Sequence, residues 1–306
     1  MTKKKNKSLQ KNALGIASGI ILTLIILLAI FGPFIMKTSP TEVYAENRLQ
    51  PPSLEHLFGT DHFGRDIFNR IIYGARISLI VGFSAAVITT IVGTTLGLVA
   101  GYFKKVDNIL MRMIDGMMAF PAILLAIMLV AALGGNLQNI VIALVFAYIP
   151  IMVRIVRSST LQLKNMQYVE AAKASGTSNT TILFNHLLPN AITPIIVQGT
   201  FIFAEAILAE AALSFLGVGV QPPIPSWGSI LGESRIYLMN APWYSIFPGV
   251  AIAITVLSLN ILGDLFRDLL DPHSLNSSKK KRWSVKMTET IGNIQMKKSV
   301  NKGVEK

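Results

Sequence analysis

Apolar runs long enough to cross a bilayer alternate along this chain with short polar segments, and a span needs ~20 largely apolar residues. The first run, 13–36, reads "ALGIASGIILTLIILLAIFGPFIM" and follows Lys3, Lys4, Lys5, Lys7 and Lys11. A signal peptide also starts basic, but its apolar region is only about 7–15 residues. This run is longer and no small-x-small cleavage site follows it closely, so it predicts an uncleaved helix. A second run lies between Arg76 and Lys104 and carries no charge. The next charge-free stretch, 116–153, is too long for one span, and "GGN" at 134–136 breaks it near its middle. Glycine pairs mark turns, so this stretch predicts a helical hairpin of two spans. A fifth run covers about 193–216 and a sixth about 243–263. The pattern predicts an all-α membrane protein with six transmembrane helices.

The basic residues orient the spans, because segments on the cytoplasmic side are enriched in Lys and Arg. With the N-terminus inside, the inner segments hold 22 basic residues and the outer ones six. Both termini are therefore expected in the cytoplasm. The expected organisation is an inner tail at 1–12, a first helix at 13–36, and an outer loop at 37–76. A core at 77–272 with five spans follows, and then an inner tail at 273–306. The outer loop carries five acids and five bases, with prolines at 40, 51 and 52. A second outer segment, 217–242, is rich in Gly and Pro and contains Trp227. It suits a short re-entrant or surface helix, between which periodicity does not decide.

Composition agrees: 52% of the 306 residues are hydrophobic and 14% charged, and mean hydropathy is +0.54. A soluble domain has about 25% charged residues. There is no cysteine, which excludes disulfides and thiolate chemistry. A net charge of +12 would suggest nucleic acid in a soluble protein. Here the charges crowd the span ends, so membrane lipid is the expected partner and nucleic acid is not. The basic "SSKKKRW" of the tail has no interleaved aromatic besides Trp283 and reads as surface-bound or solvated. No GxxxxGK[ST] pattern appears, so no nucleotide or other cofactor is expected to bind this chain through a P-loop.

The inner segment between the fourth and fifth spans reads "VEAAKASGTSNTTILFNHLLPNA" at 169–191. Residues 168–175 predict a short helix with Glu170 in its first turn, where a negative charge suits the helix dipole. Gly176 follows where helices commonly end in a left-handed residue. Ser178 or Asn179 can cap a second helix, which Pro189 is expected to end. A two-turn helix is marginal alone and has to pack on something. Small side chains allow close approach of another surface. A docking element and a plain connecting loop are both consistent with this pattern.

The same segment resembles the EAA loop in permease subunits of bacterial ABC importers. Glu170, Ala171, Ala172, three residues, Gly176, nine residues, His186 and then Leu188-Pro189 follow that pattern, with His186 where the general pattern has Ile. "LFGTDHFGRDIFNRIIYGARISLIVG" at 57–82, "DNILMRMIDGMMAFPAILLAI" at 107–127 and "AEAALSFLGVGVQPPIPSWGSIL" at 209–231 resemble segments of the C-type permeases of dipeptide, oligopeptide and nickel importers. The resemblance covers about residues 10–272. It implies a type I ABC importer permease fold with an EAA loop at 168–190. It also implies partners: a second, B-type permease, two cytoplasmic ATPases that use the ATP, and an extracellular solute-binding protein. Glu170, Ala171, Ala172 and Gly176 become the expected ATPase-coupling residues, with Leu188 and Pro189 as support. Peptides are the expected substrates, with nickel, a metal chelate or a glutathione-like solute as alternatives.

Glu205 and Glu210 lie in the fifth span, where a charge is costly and usually faces a pathway or a partner. They are candidates for the translocation path, with structural pairing as the plain alternative; five residues apart, they point in different directions. His56 and His62 share the outer loop with Asp61 and Asp66, but the spacing matches no strong metal motif. A self-sufficient channel or intramembrane enzyme would need polar residues clustered at mid-span, and Glu205 and Glu210 are the only acids near that depth.

Overall fold

The computed structural model describes the backbone of residues 2–36 and 39–270, and the side chains of 13–36 and 39–270. The chain divides into two compact units, 1–265 and 266–306. Of the second, only its first residues, 266–270, are described, as the last turn of a helix. The tail at 273–306 lies outside the described residues.

The described residues are almost entirely helical, with one isolated antiparallel bridge between Thr60 and Asp66. The helices are α1 (Thr2–Ile35), α2 (Ile67–Tyr102), α3 (Lys104–Met118), α4 (Ala122–Leu133), α5 (Leu137–Leu163), α6 (Gln167–Ala174), α7 (Asn179–Thr181), α8 (Leu188–Asn190), α9 (Ile192–Phe215), α10 (Trp227–Ser234) and α11 (Trp243–Leu270). Five stretches are long and apolar enough to cross a membrane: Ala13–Ile35 of α1, and all of α2, α5, α9 and α11. The sixth candidate is a bent helix pair. α3 and α4 pass the same test only as a pair, bent by 87°.

Two expectations change in detail. The stretch 116–153 is not a hairpin of two full spans. Its first half, α4, has 12 residues and rises about 18 Å, well short of a ~30 Å hydrocarbon core. Pro121 stands at the bend and has no N–H to continue α3. The second span also starts ten residues before the charge-free run, at Ile67. Asp66 caps it, accepting from the Asn69 backbone N–H at 2.9 Å. The helix tolerates Arg70, 1% exposed, because acidic groups from two other segments neutralise it.

α2 is the spine of the bundle. Gly93, Gly97 and Gly101 repeat every fourth residue and lie on one face, against α5. A Cβ at Gly93 would stand 2.7 Å from the Met152 Cβ, and one at Gly97 2.7 Å from the Val156 Cβ. At Gly101 it would stand 2.5 Å from the Thr160 Cβ. In lipid, where apolar surface gains nothing by leaving the solvent, close backbone approach of this kind is a main source of helix association. Lys164, just past α5, donates to the Gly101 carbonyl at 2.8 Å and closes the same seam.

Candidate functional site

The segment 167–191 is built on that seam. α6 points Val169 inward, wholly buried, with Ala172 half-buried one turn on. Glu170, Ala171, Lys173 and Ala174 face outward. The helix ends as expected at Gly176, with φ +77°. The Gly176 N–H donates to the Lys173 carbonyl at 3.0 Å, and the Thr177 N–H to the Ala172 carbonyl at 3.0 Å. This pair of bonds is a Schellman ending, which satisfies carbonyls that the helix leaves open. A Cβ at Gly176 would meet nothing within 4 Å. The requirement for glycine is therefore one of backbone conformation within this chain.

Ser178 caps the next turn, accepting from the Thr181 N–H at 3.3 Å. The expectation that Pro189 ends this helix does not hold. The chain widens to a π turn over Ile182–Leu187, where the Leu188 N–H donates to the Leu183 carbonyl five residues back. Pro189 then sits inside α8, and the break comes at Ala191. A wide turn ahead of a proline makes room for its ring and its missing N–H. Ile182, Leu183 and Leu187 are buried with Leu98, Met152, Val156 and Val169 in one cluster. Leu188 is half-buried and Pro189 exposed. Tyr102, at the end of α2, donates to the Asn179 Oδ1 at 2.8 Å, and the Lys173 Nζ stands 5.3 Å over the Tyr102 ring. An exposed two-turn helix thus rides on the packed ends of α2 and α5.

The two glutamates of α9 separate. Glu205 is exposed on the surface of this chain, and Tyr148 donates to its backbone carbonyl at 3.2 Å. Glu210 is wholly buried. Its carboxylate accepts from the Ser78 Oγ at 2.9 Å and the Ser214 Oγ at 2.8 Å. Ser78 Oγ in turn accepts from the Trp227 N–H at 3.3 Å. Glu210 thus pins α9 to α2 and to the start of α10.

At the opposite end from α6, the loop before α2 closes on a buried charge cluster that the sequence reading missed. Arg65 donates from Nε to Asp61 at 2.6 Å and from Nη2 to Glu233 at 2.6 Å. Arg70 bridges the same two acids at 2.6 and 2.8 Å, and Tyr244 donates to Glu233 at 2.9 Å. Burial opposes the Glu233 charge, but the Arg70 hydrogen bond and both guanidiniums outweigh it and hold the carboxyl below its ordinary range. Burial pushes the neighbouring His62 below the ordinary imidazole value. Ligand atoms of Asp61, His62 and Glu233 lie within 4.8 Å of one another. Two cations already occupy those carboxylates, so a metal ion would have to displace them. His56 takes no part; its Nδ1 pairs with Asp66 at 2.9 Å. The balanced five acids and five bases of 37–76 were the available signal, but their pairing runs through Glu233, far along the chain.

Comparison with known proteins decides the family. Residues 93–275 match the model of the binding-protein-dependent transport system inner membrane component. The chain belongs to this family. Residues 7–52 match the N-terminal transmembrane domain of oligopeptide transport permease C. The dipeptide transport system permease protein DppC of Alkalihalophilus pseudofirmus is 52% identical over 267 residues, covering 87% of this chain and 88% of that one. The di/tripeptide transport system permease of Pseudomonas aeruginosa is 41% identical over 275 residues, covering 88% and 90%. The glutathione transport system permease GsiD of Pectobacterium atrosepticum is 43% identical over 259 residues, covering 84% and 86%. The protein is thus a multi-pass bacterial inner-membrane permease, the membrane subunit of an ABC importer, a class that works with ATPase and binding-protein partners.

Proposed function

We propose that the chain forms half of the translocation path of an ATP-driven peptide importer. A second, B-type permease supplies the other half. Two cytoplasmic ATPases use the ATP, and an extracellular binding protein delivers the peptide. Both termini and α6 face the cytoplasm. The observation that carries the reading is the exposed small-faced helix α6, ended by Gly176 and seated on the packed ends of α2 and α5. Glu170, Ala171, Ala172 and Gly176 engage a groove on one ATPase, with Leu188 and Pro189 as support. When the ATPases close, α6 moves and the bundle moves with it. No catalytic group is required of this chain, and it carries no P-loop sequence for a nucleotide.

Peptide as substrate rests on the dipeptide and di/tripeptide names among the relatives. The glutathione permeases among them support a second reading, a γ-linked tripeptide. Glu205, the exposed acid of α9, faces the path and suits a peptide's amino terminus. The test is purification of the tagged chain from its own membranes in mild detergent, with mass spectrometry of what stays bound. A second permease and P-loop ATPases are expected. A well-folded chain that purifies alone would sink the proposal. Ligand screening of the co-encoded binding protein would then separate di- or tripeptides from glutathione.

A further inference from the structure

α3 is an amphipathic helix. Both of its acids pair with α5: Asp107, half-buried, with Arg157, and Asp115, exposed, with Arg154 at 2.7 Å. The bases, Lys104, Lys105 and Arg112, are exposed and make no ion pair among the described residues. Ile114 is buried against the bundle. Ile109 and Met113, 69% and 64% exposed, lie one turn apart with Val106 and form an apolar stripe. At 100° per residue that stripe borders the edge holding Lys105 and Arg112.

Position points the same way. α3 starts two residues after the end of α2. Residues 77–102 of α2 rise about 39 Å, enough to cross a ~30 Å core and enter the far headgroup layer. The 87° bend then turns α3 across the direction of α4. A helix with an exposed apolar stripe, a basic border and a turn at headgroup depth has the makings of an interfacial helix.

We infer that α3 lies in the cytoplasmic headgroup layer and binds anionic phospholipid through Lys104, Lys105 and Arg112, with Val106, Ile109 and Met113 among the acyl chains. The orientation is that of the proposed function; the lipid contact is independent of the substrate. Because Asp107 and Asp115 grip α5, whose end leads into α6, the contact also anchors the helix that carries the coupling segment. Each cation near an anionic surface contributes about fivefold to the local preference for such lipid.

The chain has no cysteine, so Met113→Cys supplies its single labelling site, and the complex lacking that substitution sets the background from the partners. The labelled, intact transport complex is reconstituted in phosphatidylcholine vesicles, with and without phosphatidylglycerol. Each set carries lipid with a nitroxide near the headgroup. Quenching is expected in both, and stronger with phosphatidylglycerol. The triple variant Lys104→Glu, Lys105→Glu, Arg112→Glu is expected to lose the phosphatidylglycerol increment while ATPase activity in phosphatidylcholine shows that the complex is folded. A probe unquenched in both vesicles would overturn the proposal, because the stripe would be covered by protein. So would quenching that ignores both phosphatidylglycerol and the charge reversal, since contact would then be apolar alone. If the triple variant fails to assemble, Lys105→Glu with Arg112→Gln replaces it under the same two criteria.

Discussion

Gly176 separates two kinds of requirement that usually coincide. Its φ of +77° is a conformation that an L-residue adopts at a cost of about 1–2 kcal/mol. A Cβ there would meet nothing within 4 Å, so bulk costs nothing further in the chain itself. Gly176→Ala and Gly176→Arg should therefore loosen the end of α6 equally, shifting its closed population roughly fivefold to thirtyfold. Gly176→Asn should come close to wild type, because Asn tolerates the left-handed region. Any difference between Ala and Arg has to come from outside the chain. If α6 sits in an ATPase groove, Arg abolishes peptide uptake and co-purification of the ATPase, whereas Ala lowers uptake several-fold. The assay is uptake in cells lacking the native copy, with membrane insertion followed by immunoblot. Equal uptake by the Ala and Arg variants, or normal uptake by Arg, would refute the reasoning.

Three other outcomes follow from the packing. Gly97→Leu would drive a side chain into Val156 and the Val153 carbonyl; overpacking of this sort costs about 1–3 kcal/mol, measurable as a lower melting temperature in detergent. Gly249→Ala, with nothing within 4 Å of its Cβ, is the matched control and should melt like wild type. Glu210→Ala strands the hydroxyls of Ser78 and Ser214 and should cost about 1–3 kcal/mol. Glu210→Gln keeps an acceptor and should cost less, and altered peptide selectivity at unchanged stability in that variant would place Glu210 on the path. Both His62 and Glu233 have folded-state values below their ordinary ones. Such groups stabilise fully above the unfolded value and lose that stabilisation as pH falls through the folded one. Stability should hold above about pH 6.5 and decline as acid protonates first His62 and then Glu233. A chain equally stable from neutral pH down through the carboxylate range would contradict the charge cluster.

What the sequence disclosed was what local pattern can disclose. Apolar runs located the spans α1, α5, α9 and α11, and the glycine after a small-residue helix located the end of α6. Long-range pairing was illegible. Arg70 looked like part of an outer loop because its charge argued against a span; only the fold brings Asp61 and Glu233 to it. The Gly93, Gly97, Gly101 repeat was visible in "VGTTLGLVAG", but the residues that need it small stand on α5. Pro189 read as a stop because the widening over Ile182–Leu187 leaves no mark in composition. Glu205 and Glu210 looked alike in sequence, and their fates differ because one faces outward and the other meets two hydroxyls.

α2 runs without interruption from the charge cluster to the contact between Tyr102 and Asn179. At 36 residues it is a rod of about 54 Å. The glycine seam against α5 lies toward its far end. A tilt of about 5° about the middle of such a rod carries each tip about 2 Å, in opposite directions. Leverage of this kind makes the two ends of α2 mechanically reciprocal: a displacement at the Tyr102 end loads the Arg70 cluster at the other, and a loosened cluster is felt beside Asn179.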